Sequence, residues 1–84
     1  MKEFKVIKRD GSKESWSDDK LITSIGKAGL DIKEAEDVSE GIKNYFRKNS
    51  INSLVSSSEI RDKVVETLKD IDPVASESYK IYKK

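Results

Sequence analysis

The N-terminal stretch of residues 4–16 is the part of the sequence that most restricts the fold. Residues 4–9 are rich in strand formers, and residues 14–16 can return beside them. Between these segments lies Asp10-Gly11, a dipeptide that readily takes positive φ in a tight hairpin turn. A lone two-stranded hairpin is only marginally stable in water. The rest of the chain must therefore supply a larger apolar surface on which this hairpin packs.

Four helical segments are predicted to supply that surface. Ser17 or Asp18 caps the first helix, and Gly29 suits its end. The second helix opens on a capping box at residues 31–34 and frays near residues 49–50. Apolar residues recur at helical spacing along both: Leu21, Ile22, Ile25 and Ala28 in the first, then Ala35, Val38, Ile42, Tyr45 and Phe46 in the second.

The second half of the chain is predicted to hold a loop and two more helices. Residues 51–58 are expected to form the loop, with at most one turn anchored by Ile51, Leu54 and Val55. Ser57 or Ser58 caps the third helix, and Asp72 caps the fourth. Pro73 then takes the first helical position, where its missing N–H costs nothing. The apolar stripes are Ile60, Val64, Val65, Leu68 and Ile71 in the third helix, and Ala75, Tyr79 and Tyr82 in the fourth.

Residues 1–84 are thus predicted to form a single α+β domain, an N-terminal β-hairpin packed on a four-helix bundle. The chain has no cysteine, which excludes disulfides and cysteine-based zinc sites. It has no histidine either, so the usual general base and the commonest metal ligand are missing. No pair of acidic residues has the spacing of an acid/base dyad. We therefore do not expect an enzyme.

Charge and hydropathy restrict the partners. The formal net charge is +1, whereas nucleic-acid binders of this size are usually strongly basic, so nucleic acid is not an expected partner. No apolar run is long enough to span a membrane, and the N-terminus lacks the apolar core of a signal peptide. A cytoplasmic protein is expected.

Phosphate binding is the chemistry that the hairpin suggests. The P-loop motif G-x-x-x-x-G-K-[ST] and the dinucleotide-binding motif G-x-G-x-x-G are both absent. Lys8 and Arg9 precede the turn, and Lys20 follows the return strand. Arg9 could fork two phosphate oxygens, with the lysines acting as point charges. The same residues also fit ordinary solvated charges, and the pattern alone leaves both interpretations open.

Two further features have both a functional and a structural interpretation. Trp16 could stack on a base or lock the hairpin onto the helices, and an indole has enough surface for both. Ser57, Ser58 and Arg61 could receive an anion at a helix N-terminus. Alternatively, one serine only caps the helix and Arg61 forms an ion pair in solvent.

Taken in order, these residues resemble a known family. ATP-cone domains are similar in order and spacing to four segments of this chain: Val6-x-Lys8-Arg9-Asp10-Gly11-x-x-Glu14-x-Trp16-x-x-x-Lys20-Leu21, then Ala28, then Ser58-Glu59-Ile60-Arg61-Asp62-x-Val64-x-x-x-Leu68, and finally Asp72-Pro73-Val74-Ala75 with Tyr79. The resemblance covers residues 4–83. It implies an allosteric role without catalysis, like that of the ATP-cones that regulate ribonucleotide reductases or belong to a zinc-ribbon repressor of reductase genes.

The resemblance also implies a ligand and its contacts. The ligand is ATP or dATP, with Mg2+ bound through the phosphates, and the partners are a reductase, a regulator or a second copy of the chain. Lys8, Arg9 and Lys20 would contact the phosphates; Val6, Glu14, Trp16, Ser17 and Leu21 would shape the base and ribose pocket; Ser57, Ile60 and Arg61 would close the site from the third helix. Glu14 and Ser17 are the implied hydrogen-bonding partners of adenine.

The chain departs from the family pattern in two respects. It carries neither a zinc ribbon nor a reductase core, and its last helix stops early, where family members continue past the residue that matches Tyr82. A stand-alone cone and a domain of a longer protein both fit these residues. The alternative function is a helical interaction or oligomerisation module with weak or lost nucleotide binding. Its anchors would be exposed aromatic residues: Tyr45, Phe46, Tyr79 or Tyr82.

Overall fold

A computed structural model describes residues 4–49 and 54–82. The elements in chain order are β1 (Lys5–Ile7), β2 (Lys13–Ser15), α1 (Asp18–Lys27), α2 (Ile32–Asn49), β3 (Leu54–Ser56), α3 (Ser57–Ile71) and α4 (Pro73–Tyr82). The predicted α+β class is confirmed, with a small sheet and four helices. Among the residues described, no helix combines the length and the hydrophobicity that a membrane span requires.

The predicted hairpin is present, with a slightly longer loop than a two-residue turn. β1 and β2 pair antiparallel. The Lys8 N–H donates to the Ser12 carbonyl at 2.8 Å, and the Gly11 N–H donates to the Lys8 carbonyl at 3.0 Å. These bonds enclose a three-residue loop, residues 9–11. Gly11 has a φ of +89°, the left-handed conformation that the last residue of such a loop adopts. The Ser12 hydroxyl and N–H both donate to Asp10 and hold the pKa of its carboxyl below the usual value.

The third strand and the start of α3 show that the predicted loop was wrong over residues 54–58. β3 pairs parallel with β1, with Val55 opposite Val6, and the strand order is β2-β1-β3. β1 is therefore the central strand. A three-residue strand is too short to reveal a period of two, so its local sequence did not distinguish it from a loop. Ile51, the predicted anchor of that loop, lies outside the described residues.

Helix boundaries follow the predicted start and stop signals at α1, α2 and α4. Ser17 caps α1, and Asp31 Oδ1 accepts a backbone N–H at 2.8 Å at the start of α2. Asp72 accepts two backbone N–H groups at the start of α4, and Pro73 is the first residue of that helix. Gly29, just beyond α1, has a φ of +117°. These signals act locally, which is why the sequence located them.

The cap of α3 is Ser56, so the predicted cap at Ser57 or Ser58 is corrected. The Ser56 hydroxyl accepts the Glu59 N–H at 3.1 Å, and the Ser56 N–H donates to the Glu59 carboxylate at 3.2 Å. Together the two bonds form a capping box. Ser56 is also the last residue of β3, so the chain passes from strand to helix without a loop.

The core lies between the sheet and the helices. Its buried apolar residues are Phe4, Leu21, Ile25, Ala28, Leu30, Ala35, Val38, Ile42, Phe46, Val55, Val64, Leu68, Ala75 and Tyr79. Three residues of the predicted apolar stripes are instead exposed, Tyr45 by 41%, Ile71 by 50% and Tyr82 by 47%. Tyr45 packs its ring edge-on against Phe46, and the Lys63 amine lies 3.9 Å from its ring centroid. Ile71 ends α3 beyond its last buried turn.

Ser56→Ala should lower the free energy of unfolding by about 1 kcal/mol, because it removes the hydroxyl that caps α3. Ser57→Ala is the matched control. Its hydroxyl caps nothing among the described residues, so its effect should stay within about 0.5 kcal/mol. Urea denaturation of the three proteins measures both effects. Equal losses in the two variants would contradict the assignment of the cap to Ser56.

Candidate functional site

A cavity of about 460 Å³ opens between the hairpin, α1, the N-terminal end of α3 and the C-terminal end of α4. It is lined by Val6, Arg9, Glu14, Ser15, Trp16, Ser17, Lys20, Leu21, Ser24, Ser57, Ser58, Ile60, Arg61, Tyr79 and Tyr82. Its volume lies within the range of small-molecule binding sites. Every residue that the sequence predicted for a binding site lines this cavity except Lys8. The fold therefore brings residues from both ends of the chain to one place.

The hairpin and α1 place basic side chains along one edge of this cavity. Lys8 lies just outside the lining, with its amine 3.3 Å from the Glu14 carboxylate. The same carboxylate lies 3.6 Å from the amine of Lys20, a side chain that is 74% exposed. Arg9 is at the exposed turn, and no carboxylate of residues 4–49 or 54–82 lies within 4.0 Å of it. Arg9 and Lys20 thus present positive charge to solvent at the mouth of the cavity.

Apolar side chains form one wall of the cavity. Val6 and Leu21 are each 8% exposed, and Ile60 is half-buried against the core. They come from β1, α1 and α3 in turn. These side chains pack partly in the core, and a flat apolar ring could lie against them.

Trp16 joins this wall to the core. Its ring centroid lies 5.5 Å from that of Phe4 and 6.4 Å from that of Phe46. Its Nε1–H donates to Asp18 Oδ1 at 2.8 Å, and Asp18 Oδ2 accepts from the Lys43 amine at 3.1 Å. The packing role predicted for Trp16 is confirmed. The indole also lines the cavity, so the two interpretations of this residue are compatible.

These contacts lower the pKa of the Asp18 carboxyl. Its partial burial works to raise the pKa, but the hydrogen bonds from Lys43 and Trp16 and the charge of Arg47 outweigh burial. The net result is a pKa below the ordinary value of 3.8. Asp18 therefore stays ionised while it holds the hairpin, α1 and α2 together.

Two buried hydroxyl groups lie at the bottom of the cavity, and the sequence did not identify either as a site residue. Ser24 Oγ donates to the Leu21 carbonyl at 2.9 Å and lies 3.4 Å from the Tyr79 hydroxyl. Burial raises the pKa of the Tyr79 phenol, while its contact with Ser24 works to lower it. Ser24 lies one turn after Lys20 on α1, a spacing that could have identified it. Tyr79 has the spacing of an apolar core residue. The sequence pattern therefore gave no sign that its hydroxyl lies at the cavity.

The N-terminus of α3 closes one side of the cavity. Ser57 and Ser58 are the first two residues of the helix, whose opening N–H groups have no partner within the helix. Arg61 follows one turn later, and its guanidinium lies 3.3 Å from the Asp62 carboxylate. Positive charge from the helix dipole and from Arg61 therefore adds to that of the hairpin.

Metal ligands are sparse at this site. Within residues 4–49 and 54–82 no group of three or more acidic, histidine or cysteine side chains could hold a metal ion. Glu14 is the carboxylate that lines the cavity, and it already has two lysine partners. A cation in this cavity would need ligands from a bound molecule.

Comparison with known proteins identifies the family. A family model described as the ATP cone domain matches residues 4–84. This chain belongs to the ATP-cone family. The resemblance read from the hairpin and from the third and fourth helices is thereby confirmed.

The curated relatives of this ATP-cone include transcriptional repressors. The transcriptional repressor NrdR of Petrotoga mobilis is 38% identical over 76 residues, which are 86% of this chain and 50% of that protein. Those of Dictyoglomus thermophilum and Dictyoglomus turgidum are 35% and 33% identical over 78 residues, 88% of this chain and 51% of each protein. The chain spans about half the length of the curated relatives it matches.

Asp18→Asn should destabilise this ATP-cone at neutral pH by up to about 1 kcal/mol, because the pair with Lys43 is partly exposed. The folded pKa of Asp18 is depressed, so the stabilisation is present above the ordinary value of 3.8 and is lost as the pH falls through the folded pKa. The difference from wild type should therefore shrink below that pH. Urea denaturation as a function of pH measures it.

Asp19→Asn is the matched control for this prediction. Asp19 lies in the same first turn of α1, with the same relation to the helix dipole, but it is not bonded to Trp16 or Lys43. Its substitution should cost less. A pH-independent loss in Asp18→Asn, or an equal loss in both variants, would show that the charge of Asp18 does not link the elements.

Proposed function

We propose that this ATP-cone is a regulatory domain that senses an adenine nucleotide, ATP or dATP, in the cavity between the hairpin, α1 and α3. The observation that carries the proposal is the arrangement around one cavity of about 460 Å³. A basic edge, an apolar and aromatic wall and a helix N-terminus surround the same space. These three features suit the phosphates and the base of a purine triphosphate. The family description of an ATP cone domain supports this ligand class.

The phosphates would lie at the basic edge. Arg9 can fork two phosphate oxygens, and Lys20 presents an amine that is largely in solvent. Lys8 stands beside them, within reach of Glu14. The N-terminal N–H groups of α3 and Arg61 would approach the phosphate chain from the other side. Because the cavity offers a cation few ligands of its own, Mg2+ would be held by the phosphate oxygens.

The base and ribose would lie against the apolar wall. Trp16 offers an aromatic face, and Val6, Leu21 and Ile60 form the surface behind it. Glu14 and Ser17 have oxygens that can accept a hydrogen bond from the exocyclic amine of adenine. Ser24 and Tyr79 place two hydroxyl groups deeper in the same cavity, where they could meet polar atoms of the sugar or base.

The role is regulatory, with no catalysis of its own. Without histidine the chain lacks the usual general base, without cysteine it lacks a thiol nucleophile, and its cavity carboxylate is paired with lysines. The relatives are transcriptional repressors twice as long as the matched segment. We infer that nucleotide binding controls an attached or partner protein, such as a ribonucleotide reductase or a regulator of its genes, through its oligomeric state in the cytoplasm.

Calorimetric titration with ATP, dATP, GTP and AMP tests the ligand class. ATP and dATP should both bind, and AMP should bind at least about tenfold more weakly because it lacks the phosphates that reach the basic edge. GTP should bind more weakly than ATP, since its base carries a carbonyl where adenine has an amine. A folded domain that gives no heat with any of them at millimolar concentration would refute nucleotide sensing.

Lys8→Ala combined with Arg9→Ala should weaken ATP binding by at least about tenfold, since charge-assisted bonds to phosphate are lost. The free energy of unfolding should change by no more than about 0.5 kcal/mol, because both side chains are exposed. Lys33→Ala with Lys48→Ala is the control, since it removes the same charge from α2 outside the cavity. If both double variants lost ATP binding equally, the loss would come from the change in net charge. The phosphates would then not bind specifically to Lys8 and Arg9.

A helical interaction module is the second candidate, favoured by apolar surface on α4. Val74 is 75% exposed and Ile81 is 71% exposed, and their spacing places them on one helix face. Two of the predicted anchors are corrected, because Phe46 and Tyr79 are buried in the core. Dimers that form in sedimentation experiments without any nucleotide would favour this candidate over the sensor.

A further inference from the structure

Glu14 occupies an unusual position for a residue in a phosphate site. Its carboxylate lies on β2, 3.3 Å from the amine of Lys8, which follows β1, and 3.6 Å from the amine of Lys20 in the first turn of α1. It also lines the cavity. The two lysines proposed for phosphate binding therefore already share an anionic partner within the protein.

A carboxylate and a phosphate compete for the same amines. Both are anions with oxygens that accept charge-assisted hydrogen bonds, and a lysine amine binds either as a point charge. A polyphosphate that takes both amines leaves the carboxylate without its partners. It also brings negative charge close to the carboxylate, and repulsion at such distances is substantial near a protein surface. Among the described residues no carboxylate forms an ion pair with Arg9. Arg9 can therefore bind a phosphate without first breaking an ion pair.

We propose that Glu14 is an internal competitor of the ligand phosphates and thereby selects against polyphosphates that carry no base. This inference rests on the proposed function. In the absence of ligand the carboxylate holds Lys8 and Lys20, and a bound polyphosphate displaces it. Adenine can compensate the displaced carboxylate with a hydrogen bond from its exocyclic amine. Inorganic tripolyphosphate offers no such donor, so Glu14 couples recognition of the phosphates to recognition of the base.

The test compares inorganic tripolyphosphate with ATP by calorimetry at low ionic strength. Glu14→Gln removes the charge and keeps the size of the side chain. The affinity for tripolyphosphate should rise by about 3- to 10-fold, as expected when exposed ion pairs no longer compete. The affinity for ATP should rise less or fall, because the neutral amide oxygen of glutamine accepts the adenine amine less strongly than the carboxylate does. The ratio of ATP to tripolyphosphate affinity therefore falls.

Two further variants sharpen this test. Glu40→Gln changes the net charge by the same amount on an exposed part of α2 outside the cavity, and it should alter tripolyphosphate binding by less than about twofold. Glu14→Thr also removes the charge and places a good strand former in β2, so it repeats the experiment if glutamine weakens the hairpin. Thermal melting establishes that each protein is folded.

The outcomes separate this inference from the proposed function. Unchanged or weaker tripolyphosphate binding in both Glu14 variants would overturn the competition, even where ATP binds the wild type well. Loss of ATP binding with unchanged tripolyphosphate binding would show that Glu14 contacts only the base, which also overturns it. A wild type that binds neither ligand refutes the nucleotide sensor itself. If Glu40→Gln raised the tripolyphosphate affinity as much as Glu14→Gln, net charge alone would explain the increase. That result would also overturn the competition.

Discussion

The parallel pairing of β1 with β3 is the contact on which the rest of the structure depends. It places Val6 opposite Val55 and turns β1 from one strand of a marginal hairpin into the centre of a sheet. Parallel strands need a long crossover, and α1 and α2 provide it. Because Ser56 both ends β3 and caps α3, the same pairing brings the N-terminus of α3 beside the hairpin. The cavity is the space left between them.

The cavity wall and the core share side chains. Trp16 packs on Phe4 and Phe46, and its indole N–H bonds to Asp18, which in turn bonds to Lys43 on α2. One aromatic residue thus joins the hairpin to two helices while part of its surface lines the cavity. The packing of the hairpin and the lining of the cavity therefore share this side chain.

Local charge differs from the charge of the whole chain. The formal net charge is only +1, but this value says nothing about the charge of any one region. The cavity lining contains Arg9, Lys20 and Arg61 against the single carboxylate of Glu14 among the described residues. An almost neutral protein therefore holds an anion-attracting cavity. The position of Glu14 between Lys8 and Lys20 moderates that attraction.

Features that depend on neighbouring residues could be predicted from the sequence. The hairpin turn at Gly11 and the helix ends at Ser17, Gly29 and Pro73 are set by backbone conformation and by bonds within a few positions. The family was recognisable because these signals and the basic residues occur in a fixed order. The predicted site residues came with that resemblance, and all of them except Lys8 line the cavity.

Features that depend on contacts between distant residues could be found only in the folded structure. β3 exists because β1 offers it a partner, and Ser56 caps α3 because that strand runs directly into the helix. The contact of Ser24 with Tyr79 joins α1 to α4, and no local pattern contains it. The bridge from Glu14 to two lysines depends on how closely the hairpin and α1 approach. Local propensity specifies the elements, whereas packing between them specifies the cavity and its charges.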